Sequence, residues 1–131
     1  MNQHFLQSTA WQTFQESLGH TTFRDSGPGW EYLAILERST GNSRLYCPYG
    51  PTADDEHSLA AALDSLAQLG KTHRVTFLRV EPTNLDFAAH LQAHSWKKVT
   101  YQKLQPEHSH VIDLTQPQDQ LIAHMAQPVR N

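Results

Sequence analysis

The chain has 131 residues, a formal net charge of -3 with nine histidines, and a single cysteine. That length suits one domain able to bury roughly two-thirds of the surface its unfolded form exposes, and the charge excludes the basic footprint of a module that binds nucleic acid by itself. Cys47 cannot pair within the chain; inside an apolar run, with no base or cation placed beside it, it reads as a small buried hydrophobe in a reducing compartment.

At the N-terminus, Met1 to Ser8 lacks a cationic start followed by an apolar core, and no stretch approaches the ~20 apolar residues that span a bilayer. A cytoplasmic protein is expected. Thr9 and Gln12 have capping-box spacing ahead of a helix bearing Trp11, Phe14 and Leu18, with Gly19 as its stop. Thr21 to Arg24 reads as a short strand and Asp25 to Gly29 as a turn. Trp30 to Glu37, apolar on both faces, reads as a central strand. A five-residue loop, Ser39 to Ser43, then leads into a hairpin partner, Arg44 to Cys47.

Asp54-Asp55-Glu56 opens a second helix over about residues 55 to 69, with Leu59, Leu63, Leu66 and Leu69 on one face and Gly70 as its end. A strand at 74 to 80 follows. Asn84 is placed to cap a helix carrying Leu85, Ala88, Ala89, Leu91 and Trp96, and strands are expected at about 97 to 104 and 109 to 114. Thr115 and Gln118 then precede a last helix with Leu121, Ile122 and Met125, ended by Pro128.

This order predicts an α/β (α+β) fold. An antiparallel hairpin is followed by a parallel strand-helix-strand unit in one mixed sheet with helices on both faces, which resembles the acetyltransferase-like (GNAT) superfold. A right-handed crossover brings the C-terminal ends of the strands around Tyr46 and Phe77 to one sheet edge, where open α/β sheets gather ligands. Arg79 and Glu81 share a face at that edge by their period-two spacing, as a pair that lines the crevice or braces the loop at Tyr49.

Acyl-CoA transferases of that fold hold a pyrophosphate on loop amides at a helix N-terminus. Here the corresponding loop is Pro48 to Glu56. Its two prolines remove donors and its three carboxylates oppose an anion, so no cofactor is expected there. Arg24-Asp-Ser-Gly27-Pro-Gly29 matches R-x-x-G-x-G but precedes a strand, so a turn explains its glycines. His90 with His94, and His108 with His110, could each share a face, yet local spacing places no Asp, Glu or Cys to complete a metal site, and none is expected. No Ser sits in G-x-S-x-G, and no catalytic residue can be assigned. Trp11, Phe14, Trp30 and Trp96 read as core.

Five segments in order carry a family resemblance: Phe5 to Phe14, Tyr46 to Pro51, Leu78 to Pro82, Gln105-Pro106 with Val111 to Thr115, and Leu121 to Met125. Together they resemble the FemABX family, peptidoglycan bridge-forming aminoacyltransferases built from two GNAT-like domains. The resemblance implies that the whole enzyme transfers an amino acid from aminoacyl-tRNA to the stem peptide of a lipid-linked or UDP-linked muropeptide, in cell-wall biogenesis and the maintenance of cell shape. It also implies proximity to the membrane periphery, a second GNAT-like domain, and aminoacyl-tRNA held by regions outside this chain. The substrate-binding positions it points to are Gln15, Tyr49, Gly50, Pro51, Arg79 and Glu81. In the family a basic residue often follows the first-helix Trp and contacts the precursor; here Gln12, Thr13, Phe14 and Gln15 follow Trp11, and Gln15 is a poor substitute for a phosphate-binding cation. Residues 1 to 131 are thus expected to be the first domain of such an enzyme, truncated or a short homologue, and inactive alone. The alternatives are an acetyl-CoA-dependent N-acetyltransferase and a non-catalytic module that binds cell-wall peptide or a partner domain.

Overall fold

A computed structural model describes residues 3–100, 102 and 104–127. A 3-10 turn at Phe5–Gln7 leads into α1 (Thr9–Ser17), followed by β1 (Thr21–Gly27), β2 (Trp30–Ser39), β3 (Asn42–Cys47), a two-residue β4 (Thr52–Ala53), α2 (Glu56–Thr72), β5 (Phe77–Val80), α3 (Phe87–Ala93) and α4 (Gln118–Ala123). The sheet order is β1-β2-β3-β5, with β4 paired to β2. The first three strands are antiparallel, while β3 and β5 run parallel in the register Tyr46↔Arg79 and Cys47↔Val80. The mixed sheet and its parallel crossover therefore form as the sequence predicts, and none of the helices among the described residues is long and apolar enough to cross a membrane.

Alternation along the strands divides the sheet into two faces. Trp30, Tyr32, Ala34, Leu36, Leu45 and Cys47 point to α2 and pack on Leu59, Ala62, Leu63 and Leu66, with Phe87 of α3 joining them. Leu33, Ile35 and Tyr46 are buried on the opposite face, the side of α1. Asp55 caps α2, its carboxylate accepting from the Ser58 amide at 2.7 Å. That bond, reinforced by the Ser58 hydroxyl, holds the Asp55 carboxyl below the usual carboxylate range. A folded-state pKa below the unfolded one stabilises the protein above the unfolded value of about 3.9 and is lost as pH falls through the folded pKa. Asp55→Ala should thus lower stability at neutral pH, and its deficit relative to the parent should shrink in acid; urea titrations at the two pH values measure this.

Several local expectations are corrected. Ser8, not Thr9, caps α1, its hydroxyl accepting from the Trp11 amide at 3.2 Å. The buried side chain of α1 is Gln15, whereas Phe14 and Leu18 are 47% and 57% exposed. The helix face turned to the sheet is polar because it meets Arg24, Thr22 and His20, which hydrogen-bond Gln12 and Gln15. Of the four aromatics read as core, Trp30 is buried and Trp96 packs against the core, while Trp11 is half-buried and Phe14 exposed.

Gly70 does not end α2, which continues to Thr72. A Cβ there would stand 3.0 Å from Leu78 and 3.2 Å from Val75, so the glycine admits β5 close against the helix. The β2–β3 connection is two residues, Thr40 and Gly41, because the pairing continues to Ser39↔Asn42. Phe87 anchors α3, and Leu85, expected inside, is 88% exposed. Asn84 accepts from the Asp86 amide in a turn just ahead of that helix.

Among the described residues, 97–104 and 109–114 form no strand. The Gln102 and Pro106 carbonyls are taken by the side chains of Arg79 and Tyr49 instead of a ladder. Val111, Ile112 and Leu114 remain exposed. Thr115 bonds back to Asp113, so α4 starts without a side-chain cap, and it ends at Ala123; Pro128 lies outside the described residues.

Candidate functional site

The parallel pairing of β3 and β5 sets Tyr46 beside Arg79 on the α1 face of the sheet. Two residues along, Glu81 accepts a 2.5 Å hydrogen bond from the Tyr46 hydroxyl and meets Arg79 Nη2 at 3.5 Å. Arg79 Nη2 also donates to the Gln102 carbonyl at 2.9 Å, which ties Gln102 to the end of β5. Tyr49 adds a second tie, donating to the Pro106 carbonyl at 2.8 Å while its ring stacks on His4 at 3.8 Å.

Burial raises the Tyr46 phenol well above its ordinary value, and the bond to Glu81 raises it further because it would be lost on ionisation. Both Glu81 oxygens are engaged and the phenol stays neutral, which leaves the cluster as a hydrogen-bonding clamp without a nucleophile. Cys47, at the end of β3, is completely buried, and burial pushes its thiol far up. Native protein should therefore resist alkylation by iodoacetamide, with full labelling only in denaturant; rapid labelling of the folded chain would contradict this burial.

Of the residues expected at the site, Tyr49, Arg79 and Glu81 converge here. Gly50 and Pro51 are buried under the turn, Pro51 completely, and Gln15 lies on α1, where Oε1 stands 2.6 Å from His20 Nδ1. Arg79 and Glu81 brace against Tyr46, not Tyr49. The R-x-x-G-x-G string is the β1–β2 hairpin: Gly29 has φ +77°, a Cβ on Gly27 would strike the Trp30 indole, and Arg24 is held by Gln12 and the Gln7 carbonyl. His90 on α3 stacks at 4.2 Å on His94, the residue capping that helix, and the described residues contain no cluster of three metal-ligating groups.

One organising residue had no local signal. Between the two places where β2 is paired, to β3 and then to β4, its partner strand swings away at Pro48. The completely buried Gln7 fills that gap: its Nε2 donates to the Leu33 and Pro48 carbonyls at 3.1 and 2.8 Å, and its Oε1 accepts from the Leu33 amide at 2.7 Å. It stands in for a missing strand residue. Gly50 is the complement, since a Cβ there would lie 2.6 Å from the Gln7 amide carbon. The amide of Glu81 donates to the Gly50 carbonyl, which links the plugged gap directly to the clamp.

No family model matches the chain, and no curated protein matches it in sequence. A solved structure does match: the crystal structure of FemX, at 17% identity and a TM-score of 0.73 over 98% of this chain. The chain spans 37% of the FemX chain. The mixed sheet with its plugged gap and clamped strand ends thus belongs to a protein with the fold of part of FemX.

Proposed function

We propose that the chain is a Fem-type GNAT domain serving peptidoglycan bridge synthesis in the cytoplasm, and that it works without coenzyme A. The observation that carries this reading is the FemX likeness along nearly the whole chain, in agreement with the motifs at Tyr46 to Pro51 and Leu78 to Pro82. The N-terminus of α2 supports the second half. There the Asp55 carboxylate already takes the helix amide that a pyrophosphate would use, flanked by Asp54 and Glu56.

In the reaction so proposed, the amine of a stem peptide attacks the ester carbonyl of an aminoacyl-tRNA, and the rate comes from orientation and from stabilising the developing oxyanion. This domain's part is to shape a groove at the clamped strand ends, with Tyr49, Arg79 and Glu81 facing the precursor. The tRNA and the remaining catalytic surface belong to regions outside these residues, including a second GNAT-like domain. A single-turnover assay with charged tRNA and a muropeptide precursor tests it. The chain alone should transfer nothing, and the chain joined to a Fem-type second domain should transfer; transfer by the isolated chain would refute the division of labour.

A second reading is a non-catalytic binding module. It is favoured by the aromatic ridge of Phe5, Trp11 and Phe14, ring centroids 6.0 and 5.1 Å apart, two of whose members are largely exposed. Self-association in the ultracentrifuge that disappears in Phe14→Ser would support it, and a monomer at all concentrations would count against it.

A further inference from the structure

A groove of about 380 Å³ opens between β1 and α2, on the sheet face away from the clamp. Its volume falls in the range of ligand clefts, roughly 300–1,000 Å³. The α2 side is formed by Ser65, Gln68, Leu69 and Thr72, spaced as one helical stripe. A stripe facing a sheet is ordinarily apolar, but here three of its four members are polar.

The opposite wall explains what they face. Alternation along β1 sends Phe23 and Asp25 toward α2 and Arg24 to the other side, where Gln12 and the Gln7 carbonyl hold it. The hydroxyl of Tyr32, 1% exposed as a residue, lies 2.8 Å from Ser65 Oγ, and Ser65 Oγ donates to Asp25 Oδ2 at 2.5 Å. With the serine proton committed to Asp25, the phenol donates to Ser65, so the relay ends on an exposed carboxylate. Asp25 has no cationic partner among the described residues; its other oxygen accepts only from the Ser26 amide. Gln68, exposed on α2, lines the same groove, and among the described residues its side chain has no hydrogen-bond partner.

The groove therefore presents Leu69 and the part of Phe23 left uncovered by His73, whose ring lies 4.5 Å from that of Phe23, together with an acceptor at Asp25 and an amide at Gln68. An unpaired carboxylate repels phosphates and carboxylates. What matches the rest is a neutral ring with one face of C–H groups and an edge of hydroxyls: the C–H face lies on Phe23, while hydroxyls donate to Asp25 and exchange hydrogen bonds with Gln68. We propose that this groove is a saccharide subsite that takes a single pyranose ring. The inference is independent of the proposed transfer reaction, because it rests on β1 and α2 and on none of the clamp residues.

Backbone amide NMR of the 131-residue chain, titrated with methyl β-glucopyranoside and with N-acetylglucosamine, tests it. A ligand this small should bind in the millimolar range, with saturable shifts confined to the amides of residues 23–25 and 65–72. Asp25→Ala should weaken binding about tenfold or more, the loss of a hydrogen bond to a charged group. Gln68→Ala, on an exposed helical position that leaves the relay intact, should weaken it several-fold and guards against a folding defect in the first variant. Absence of saturable shifts, shifts elsewhere, unchanged binding in Gln68→Ala, or a response to an alkylammonium salt in place of the sugars would each overturn the proposal.

Discussion

Gln7→Ala should be the most damaging single change outside the apolar core. It strips hydrogen bonds from the Leu33 amide and from the Leu33 and Pro48 carbonyls, all buried, and empties a completely buried site. Unsatisfied buried groups cost about 1–3 kcal/mol each, in part relieved by relaxation, so a loss of about 3–5 kcal/mol is expected. For a chain of this size that corresponds to a melting temperature lower by roughly 10–20 °C. Gly50→Ala should be destabilising through the same contact, since its methyl group would collide with the Gln7 amide. The pair offers an internal check: in a Gln7→Ala background the Gly50→Ala penalty should largely vanish, because the obstructed side chain is gone. Denaturant titrations of the four proteins give the coupling. Additive penalties would mean that Gln7 does not plug the sheet.

Glu81→Ala comes next. It leaves Arg79, whose side chain is 12% exposed, without its carboxylate, and leaves the Tyr46 hydroxyl without its acceptor. Removing one partner from a mostly covered pair costs more than the pair contributes, because the other charge stays desolvated. A loss of about 2–3 kcal/mol is expected, with a smaller loss for Glu81→Gln, which preserves an acceptor for the phenol. Tyr46 should respond as well: without Glu81, two of the causes that raise its pKa disappear, and an ultraviolet titration should find the phenol ionising at lower pH. An unchanged phenol titration would mean that the Tyr46–Glu81 bond does not persist in solution.

The parts of this fold that could be read from the sequence are those with a period. The leucine row of α2, the doubly apolar β2, and the period-two relation of Arg79 and Glu81 each follow from local spacing, and together they place the clamp at the correct sheet edge. Tyr46 could have been added by pairing the two strands in parallel, since its register partner is Arg79. Where packing decides, local pattern misleads. Gly70 looks like a helix stop and is instead the point where Leu78 and Val75 press on α2. Trp11 and Phe14 have helical spacing that says which residues share a face but not which way that face turns; the buried Gln15 is held by His20, just ahead of β1, and its neighbour on that face, Gln12, by Thr22 and Arg24 of β1. Gln7 is the extreme case: its partners lie 26 and 41 residues away, and a buried glutamine carries no periodic signature. The strand pattern at 97–104 meets no ladder among the described residues, and the Arg79 side chain takes the Gln102 carbonyl there; nothing in the structure explains the loss of the pattern at 109–114.

The proposed coenzyme-free reading depends most on the start of α2, where the Asp55 carboxylate takes the Ser58 amide. Isothermal titration of the chain with acetyl-CoA at low ionic strength addresses this directly. No saturable heat is expected up to millimolar ligand, whereas micromolar binding that is abolished by blocking the Pro48 to Glu56 turn would contradict the coenzyme-free reading.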